Sequence, residues 1–521
     1  MAITPDTNIK LLKCPLTLSN KNQLTFASKT TQYNYFNSLP KLEVEECSYQ
    51  RKDNIIRYPA HIDDIIEYNY VMYQNNNYGD KWFYAYIENM EYENDGLTNI
   101  TIKTDVFQTW QFDINFKNSF VEREHVNNDE IGANIVDEGL PVGEYVNAEN
   151  PVKILDSIND FKICMAVTEM PDGELPEFNE TRLYNGIFSG LFYIAFPTTQ
   201  DAETAIKIYD SQAKANAIQY LFLVPSNLQS ISGGTQGTWT VGTVGTCNVI
   251  YLSDSNNADN PENLIGNMPT HVGENYIPKN NKLFIYPYNF CTVTNNNGIS
   301  ENFNYEDFII DTSAGEKNFS FWLDCTICPG MSMKLIPLQY KNINFNYEYA
   351  ISGAKLPICS WNSDTYINWL TSQCVNLGIN TFSSVASLNP VGIVSDVANS
   401  LGSIYQANII PNQARGNTNS GDVSFSEGLC GFTLYYISIK DEYAKIIDDY
   451  FSMYGYKINE VKVPNLTGRS NWNYVKTINS NILGNIPQKD LQEIKNLFDN
   501  GITLWHTTTN FLDYSQNNNI L

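Results

Sequence analysis

Residues 365–414 form a stretch of fifty residues in which Asp396 is the one formally charged side chain. The remainder mixes Ser, Thr, Asn and Gly with Ile, Val, Leu, Ala, Phe and Trp. It contains no run of the roughly 18 apolar residues that a lone membrane-spanning helix requires, and it is too apolar for a solvated linker. Such a segment must be buried in its own chain, packed against copies of itself, or held ready for a membrane.

The sequence NPVG at 389–392 interrupts any single helix through this stretch and predicts two shorter helices, 366–382 and 391–405. Apolar side chains recur at helical spacing on one face of the second helix: Val394, Val397, Ala398, Leu401 and Ile404. The other face carries Ser, Asn and Gly instead of the charges of an ordinary surface helix. A small, uncharged polar face suits close helix packing or the lining of a pore. These residues leave a packed internal hairpin and a membrane-inserting segment equally open.

The chain as a whole is strongly acidic, with 32 Lys and Arg against 57 Asp and Glu, a formal net charge of −25. Such a surface repels nucleic-acid phosphates and anionic headgroups, so ordinary nucleic-acid binding is disfavoured. An acidic wall could still line a channel through which DNA slides without binding. The ten Cys are too few for a disulfide scaffold. The first residues lack the basic region and apolar core of a signal peptide, and we expect no export by that route.

The pattern of the chain predicts a mainly β fold of the α+β class, in which the meander of the N-terminal part builds a β-sandwich or barrel. Residues 1–150 read as short strands rich in Tyr, Phe, Ile, Val and Thr, including a hairpin of 68–74 with 81–92. Period-two alternation in TNITIKTDV (98–106) predicts a further strand after this hairpin. Residues 151–350 read as a separate mixed unit, with a helix capped by Thr198 or Thr199 between two strands. The uncharged stretch belongs to a third region, 351–424.

Strands and two amphipathic helices return after residue 424. The first helix follows Lys440, and its predicted buried stripe comprises Tyr443, Ile446, Ile447, Tyr450 and Phe451. The second helix spans 487–501, ends at Gly501, and has as its predicted inward residues Leu491, Ile494, Leu497 and Phe498.

The run FVEREHV contains the densest charge cluster of the N-terminal part, formed by Glu122, Arg123, Glu124 and His125. On a regular strand the two Glu would share one face and the other two residues the opposite face. One interpretation is a carboxylate pair for acid–base chemistry or a His-centred site. The other is a strand whose charges pair with neighbouring strands or subunits. The second is favoured, because no nucleophile, further acid or metal-ligand spacing accompanies the cluster.

Two further stretches contain Cys or Gly residues of the kinds found in metal, redox or nucleotide sites. Cys325 and Cys328 have the spacing of a metal or redox pair, but the sequence offers no second short-spaced ligand pair for zinc and no helix after the motif. The glycines of 231–252 do not follow the spacings that bind phosphates, so a nucleotide site is not expected. We expect no catalytic residue, metal or cofactor.

Several long strings, in the same order along the chain, resemble the distal tail-knob proteins of small, short-tailed podophages of the Bacillus and picovirus type. They are YNYFNSLP (33–40), QNNNYGDKWFYAYI (74–87), the run 105–126, DEG (137–139), YGYKINEVKVPNL (454–466), WNYVKT (472–477) and DLQEIKNLFDNGITLWHT (490–507). The motif residues within them are Trp110, Phe120, Glu122, Arg123, Glu124, His125, Trp505 and His506. The match covers about a third of the chain, and 150–350 resembles the family only weakly.

The resemblance implies a hexameric β-rich tube at the distal end of the tail, built from 1–150 with 425–521. It implies that long hydrophobic loops plug the tube and then leave it to open a pore in the host membrane, through which the genome passes. The segment 365–414 lies where those loops lie, and it matches them in position and character, not letter by letter. The loop residues expected to meet lipid are Ile367, Trp369, Leu370, Val375, Leu377, Ile379, Phe382, Val385, Leu388, Val391, Ile393, Val394, Val397, Leu401 and Ile404.

The partners that follow from the resemblance are five further copies of the chain, an upstream tail or collar tube protein, lipids of the host cytoplasmic membrane, and genomic DNA bound without sequence specificity. The protein would be assembled in the host cytoplasm and reside in the virion. Two alternatives remain. One is a purely structural tube whose loop is a plug; the other is a tail-associated cell-wall hydrolase, for which no acid–nucleophile pair is recognisable.

Overall fold

The computed structural model describes residues 7–521 except 48, 51–53, 76–78, 80, 156–159, 173–182, 185–186, 189, 213, 215–216, 227–234, 253–262, 309–317, 326–331, 357 and 361–430. The segment 365–414, its two expected helices and its fifteen lipid-facing candidates therefore lie outside the described residues, as does Cys328. Within the described part, no helix has both the length and the apolar character to cross a membrane.

The fold is mainly β, which confirms the predicted class. The N-terminal strands are β1 Thr7–Leu12, β2 Asn22–Leu24, β3 Lys41–Cys47, β4 Tyr49–Gln50, β5 Ile55–Tyr58, β6 Tyr70–Asn75, β7 Trp82–Asn94, β8 Leu97–Thr104, β9 Ile114–Phe116 and β10 Ser119–Glu124. The middle strands are β11 Tyr145–Asn147, β12 Val152–Ile154, β13 Phe161–Val167, β14 Leu183–Tyr184, β15 Ile187–Phe188, β16 Phe192–Phe196, β17 Ile218–Pro225, β18 Thr235–Val241, β19 Gly245–Leu252, β20 Asn263–Asn267, β21 Asn289–Thr294, β22 Ser300–Phe303, β23 Asn318–Cys325, β24 Ser332–Tyr340, β25 Ile343–Phe345, β26 Ile351–Lys355, β27 Ile358–Ser360 and β28 Phe432–Ile439. The last four are β29 Tyr456–Lys462, β30 Trp472–Ile478, β31 Ile482–Gly484 and β32 Ile502–Trp505.

The α-helices of the described part are α1 Lys29–Ser38, α2 Ile62–Ile65, α3 Val106–Trp110, α4 Thr199–Ser211, α5 Asp441–Tyr454 and α6 Gln488–Asn500. Two compact units contain these elements. Unit 1 comprises Met1–Val142, Pro278–Leu283 and Glu442–Leu521, and unit 2 comprises Gly143–Ile277 and Phe284–Asp441. The predicted tube-forming role of 1–150 with 425–521 stays a prediction.

Unit 1 contains two large sheets. One has seven strands in the order β3-β1-β6-β7-β8-β5-β4, and within it the predicted hairpin is confirmed, because β6 pairs antiparallel with β7. Strand β8 alternates as its sequence predicts, with Thr98, Ile100 and Ile102 buried. The other sheet has the order β2-β32-β30-β10-β29, so its strands come from both ends of the chain. Neither end can complete this sheet without the other.

Unit 2 contains a six-stranded sheet in the order β18-β19-β16-β13-β17-β27. The predicted strand–helix–strand element is present as β16, α4 and β17, and Thr198 caps α4 by accepting the Asp201 N–H at 3.1 Å. Strand β13 lies between β16 and β17 and is antiparallel to both. The long β28 pairs with β21, β11 and β12 in a second sheet.

The buried side of α5 differs from the predicted stripe. Ile447 and Phe451 are buried as predicted, but Ile446 is 67% exposed and its predicted burial is wrong. Asp448 is buried instead, because its carboxylate accepts the backbone N–H groups of Lys279 at 2.8 Å and Asn280 at 3.1 Å. The face of α5 that carries Asp448 is therefore turned toward these donors. The apolar pattern of the sequence does not predict this orientation, because it contains no record of polar contacts.

Helix α6 follows its prediction. The side chains of Leu491, Ile494 and Phe498 are buried, and Leu497 is half-buried beside them. Gly501 ends the helix with a φ of 88°, a left-handed conformation that favours glycine.

Substitution of the adjacent isoleucines of α5 tests this orientation. We expect Ile447→Ala to lower the free energy of unfolding by about 3 kcal/mol, because it leaves a cavity in the core. Ile446→Ala is the matched control and should change that free energy by less than about 0.5 kcal/mol. Urea unfolding followed by tryptophan fluorescence measures both, and equal losses would contradict the observed orientation.

Candidate functional site

The charged run singled out in the sequence lies on β10 and the residue that follows it, and β10 lies between β30 and β29 in the five-stranded sheet. A β-bulge between Val121 and Arg123 interrupts the pairing of β10 with both β29 and β30. Because a bulge adds a residue to one strand, it breaks the regular alternation of faces. Val121 and Arg123 are buried and Glu122 is half-buried, whereas Glu124, which regular alternation would place with Glu122, is buried as well. The two-by-two division of the four charges between faces stays a prediction.

The side chain of Glu138 is fully buried and forms ion pairs with two buried cations. One is the guanidinium of Arg123, and the other is the Lys282 ammonium, whose Nζ lies 2.5 Å from Oε1. The backbone N–H of Lys457 donates to the same carboxylate at 2.9 Å. Arg123 also donates to the carbonyl oxygen of Gly455 at 2.7 Å. We call Arg123, Glu138, Lys282 and the Lys457 N–H the Glu138 cluster.

The charged side chains of the Glu138 cluster are buried away from water. Burial lowers the pKa of the Lys282 ammonium, and the nearby Glu138 carboxylate opposes this shift by favouring the charged form. The cluster has two cations for one carboxylate, so loss of that carboxylate would leave both cations buried without a counter-ion. Removal of one partner from a buried ion pair is strongly destabilising.

The two carboxylates that suggested acid–base chemistry, Glu122 and Glu124, form ion pairs with different lysines. Glu124 accepts the Asn465 N–H at 2.7 Å and lies 2.8 Å from Lys462 Nζ. Glu122 lies 2.8 Å from Lys476 Nζ on β30. Each charge thus pairs with a neighbouring strand or the segment that follows it, which is the arrangement of the second interpretation of this cluster.

His125 is buried immediately after β10. Its Nδ1 accepts the Tyr474 N–H at 2.8 Å, so its Nε2 carries the proton and donates to the carbonyl oxygen of Ser452 at 3.1 Å. Burial, reinforced by the positive charge of Arg469, lowers the His125 pKa to about 3. The ring is therefore neutral at physiological pH, with both nitrogens engaged in holding β30 and α5.

The remaining motif residues form contacts elsewhere in unit 1. Trp110 donates to Asp490 Oδ2 at 2.9 Å, and Lys81 Nζ lies 3.4 Å above its ring. Trp505 packs against Trp472 with ring centroids 4.9 Å apart. His506 contacts Thr25 Oγ1 at 2.7 Å and Asn473 Oδ1 at 3.0 Å, and Phe120 is partly exposed on β10. The structure thus places Trp505 and His506 at the end of β32 in the sheet of β10, and Trp110 on α3.

Sequence reasoning missed the partners that complete this site. Glu138 appeared only within a matched string, and Lys282, Asp129 and Arg469 carried no signal, because lone charges between strands have no periodicity. Asp448 on α5 carried none either, because an acidic residue on an amphipathic helix is expected to face water. Asp129 accepts from the Tyr456 hydroxyl and the Asn281 N–H, and burial raises its pKa. No group of three or more His, Cys, Asp and Glu residues suited to a metal occurs in the part of the chain that the structure describes.

Comparison with known proteins gives two family matches. Residues 252–519, just over half of the chain, match the family described as the C-terminal domain of tail knob protein gp9 of Bacillus phage phi29. Residues 5–117 match the N-terminus of caudoviral major tail proteins.

Whole-chain relatives agree with these matches. The chain is 27% identical to the tail knob protein gp9 of Bacillus phage phi29 over 100% of both chains, and 26% identical to that of Bacillus phage B103 over 97% of both. The tail knob protein gp12 of bacteriophage C1 has a similar solved structure, with a TM-score of 0.65 at 14% identity, covering 99% of this chain and 100% of that one. At that identity the similarity shows a shared fold.

Removal of the negative charge of Glu138 tests the role of the Glu138 cluster in stability. We expect Glu138→Gln to lower the free energy of unfolding by about 3–5 kcal/mol, because Arg123 and Lys282 lose their buried counter-ion. Glu144→Gln is the matched control, since Glu144 forms an exposed ion pair with Lys440 and its loss should have little effect. Urea unfolding measures both variants, and a Glu138→Gln protein as stable as the control would refute the assigned role.

Neutral burial of His125 predicts a specific pH dependence. The unfolded chain takes up a proton on this ring near its ordinary pKa of 6.5, whereas the folded chain does so only near about 3. Between these values the unfolded state binds more protons, so stability falls as the pH falls, by up to about 1.4 kcal/mol per pH unit. We expect His125→Asn to lose about 2.6 kcal/mol less than the wild type between pH 7.5 and pH 4.5.

Urea unfolding at these two pH values measures the difference. His61→Asn is the control, because His61 is partly exposed and caps α2 by accepting the Asp63 N–H, which an Asn side chain can also do. The control should keep the full pH dependence of the wild type. If His125→Asn keeps it as well, the ring is not the group responsible.

Proposed function

We propose that this chain, which belongs to the family of the C-terminal domain of tail knob protein gp9 of Bacillus phage phi29, forms a hexameric tail-tip tube whose hydrophobic loops open a membrane channel for the genome. The chain is a tail knob structural protein of a short-tailed phage. The tube, the loops and the channel are the proposal.

The observation that carries the membrane role is the composition of 365–414, with one formal charge in fifty residues of a chain whose net charge is −25. A single copy of this segment is too polar to cross a bilayer, because its Ser, Asn and Gly face would meet lipid without partners. Six copies can bury those polar faces against one another and present the apolar faces to lipid. Membrane activity would then require assembly, which a ring of subunits supplies by holding the loops together.

The tube role is supported by the match of 5–117 to the N-terminus of major tail proteins. It is supported further by the sheet β2-β32-β30-β10-β29, since a wall formed from both chain ends can carry long insertions between them without interruption. In this proposal 1–150 with 425–521 form the tube, 151–350 lie at its periphery, and 351–424 carry the loop. An upstream tail tube protein and the host cytoplasmic membrane are the partners at either end.

The acidity of the chain suits a DNA conduit. A lumen lined by net negative charge repels phosphates, so DNA would pass without binding. A purely structural plug is the alternative that the same loop composition favours, because an uncharged segment can equally pack inside a closed lumen.

A peptide spanning 365–414 tests the membrane role. We expect it to release dye from lipid vesicles with a steep dependence on peptide concentration, because polar faces must be buried by association. Leu401→Asp should abolish release by placing a charge on the apolar face, whereas Leu401→Ile should preserve it. Absence of leakage by the unchanged peptide at any pH tested would contradict membrane activity.

Deletion of 370–410 in the phage separates the channel from the plug. Particles that assemble and adsorb but fail to deliver DNA are expected if the loop acts on the membrane. Failure of assembly would instead assign the loop a structural role.

A further inference from the structure

The tripeptide Asn-Gly-Ile occurs three times in the chain, at 185–187, 297–299 and 500–502. An asparagine side chain reacts most readily with its own backbone when glycine follows, because glycine has no side chain to shield its N–H. Asn185 and Gly186 lie outside the described residues. The other two copies are identical in sequence, so any difference in their reactivity comes mainly from the structure around them.

The copy at 297–299 forms the tip of the hairpin between β21 and β22 in unit 2. Gly298 is exposed and has a φ of 92°, and its N–H has no hydrogen-bond partner within the described residues. The side-chain amide of Asn297 forms no hydrogen bond there either. The backbone nitrogen and the side-chain carbonyl carbon that would have to meet are therefore both unrestrained by hydrogen bonds.

The two asparagines that precede this copy are held in place. Asn295 Nδ2 donates to the carbonyl oxygen of Ser352 at 2.9 Å, and Asn296 Nδ2 donates to that of Gly431 at 3.3 Å. Of the three consecutive asparagines at the tip, Asn297 is thus the one whose side chain is not anchored, and it is also the one followed by glycine.

The copy at 500–502 is held by regular structure. Asn500 is the last residue of α6, and Ile502 begins β32. The Gly501 N–H donates to the carbonyl oxygen of Phe498 at 3.2 Å, and a Cβ on Gly501 would collide with the hydroxyl group of Tyr474. A reaction of the Gly501 nitrogen therefore requires that the end of the helix opens first.

We propose that Asn297 is a site of spontaneous deamidation. The Gly298 nitrogen loses its proton to hydroxide and bonds to Asn297 Cγ, and the bond from Cγ to the side-chain nitrogen breaks. The nitrogen leaves as ammonia, taking a proton from water, and a cyclic succinimide remains. Water then adds to either ring carbonyl and breaks the adjoining C–N bond, which leaves aspartate or isoaspartate at this position. Water and hydroxide are the only reactants besides the chain.

The isoaspartate product changes the hairpin tip. Its backbone is longer by one carbon atom, and it carries a negative charge. Asn295 Oδ1 accepts the N–H of Asn297 at 2.9 Å and that of Ile299 at 3.0 Å, so the extra atom falls between two donors to one acceptor. We therefore expect faster hydrogen exchange of the Ile299 N–H after conversion. The proposal depends on neither the tube nor the membrane role.

Peptide mapping by mass spectrometry tests the site on the folded full chain at mildly alkaline pH. We expect conversion of Asn297 to be at least about tenfold faster than conversion of Asn500, because the second reaction needs local opening. Labelling by an isoaspartyl methyltransferase should detect isoaspartate at 297, which direct hydrolysis of the side chain would not produce. In urea the two identical tripeptides should react at similar rates, since the fold no longer separates them.

Asn297→Gln is the matched variant, because its longer side chain closes the ring much more slowly. It should lose the conversion at 297 and leave that at 500 unchanged. Equal conversion at 297 and 500 in the folded chain, or a product without isoaspartate, would overturn the proposal. A rate ratio that persists in urea would overturn it as well, because the selectivity would then not come from the fold.

Discussion

The five-stranded sheet of unit 1 depends on the ion pairs and hydrogen bond of the buried Glu138 carboxylate. This carboxylate joins three parts of the chain that are far apart in sequence: Arg123 on β10, Lys282 between two stretches of unit 2, and the backbone of β29 at Lys457. Buried ion pairs contribute little net stability relative to apolar packing, but they strongly penalise any arrangement that leaves a charge unpaired. The cluster therefore specifies which segments come together more than it stabilises their contact.

The ion pairs matter for folding because the strands of the five-stranded sheet are far apart in the sequence, so local sequence patterns do not determine which strands pair. Strand β2 pairs in parallel with β32, so Asn22 lies opposite Thr503 across almost the whole length of the chain. Closing such a long connection carries an entropic cost before any contact forms. Buried polar groups at defined positions restrict the register that can follow, since a shift by one residue would leave Glu124, Glu138 or His125 without its partners.

The sequence predicts those parts of the fold that repeat a short-range pattern. Alternation located β8, and helical spacing located α6 with its buried Leu491 and Phe498. These patterns failed where a contact with a distant polar group determines which side chains are buried. Ile446 is exposed because Asp448 is drawn inward by backbone donors near residue 280, and a bulge that no local pattern marks shifts the register of β10 with both of its neighbours. The charges at 122–125 were recognisable, but Lys282 and Arg469 were not, since a lone cation between strands looks like a solvated side chain.

The acidity of the chain also constrains how the uncharged segment could act in the proposed role. Only one of its fifty residues is charged, so almost all of the net charge of −25 belongs to the remainder of the protein. Surface helices that bind membranes by electrostatic attraction carry Lys and Arg for anionic headgroups, whereas this chain would be repelled by them. Insertion would therefore have to be driven by burial of apolar side chains, with the polar faces satisfied by neighbouring copies. A ring that holds the loops together would then favour the membrane role, because it supplies the neighbouring copies that a single loop needs to satisfy its polar face.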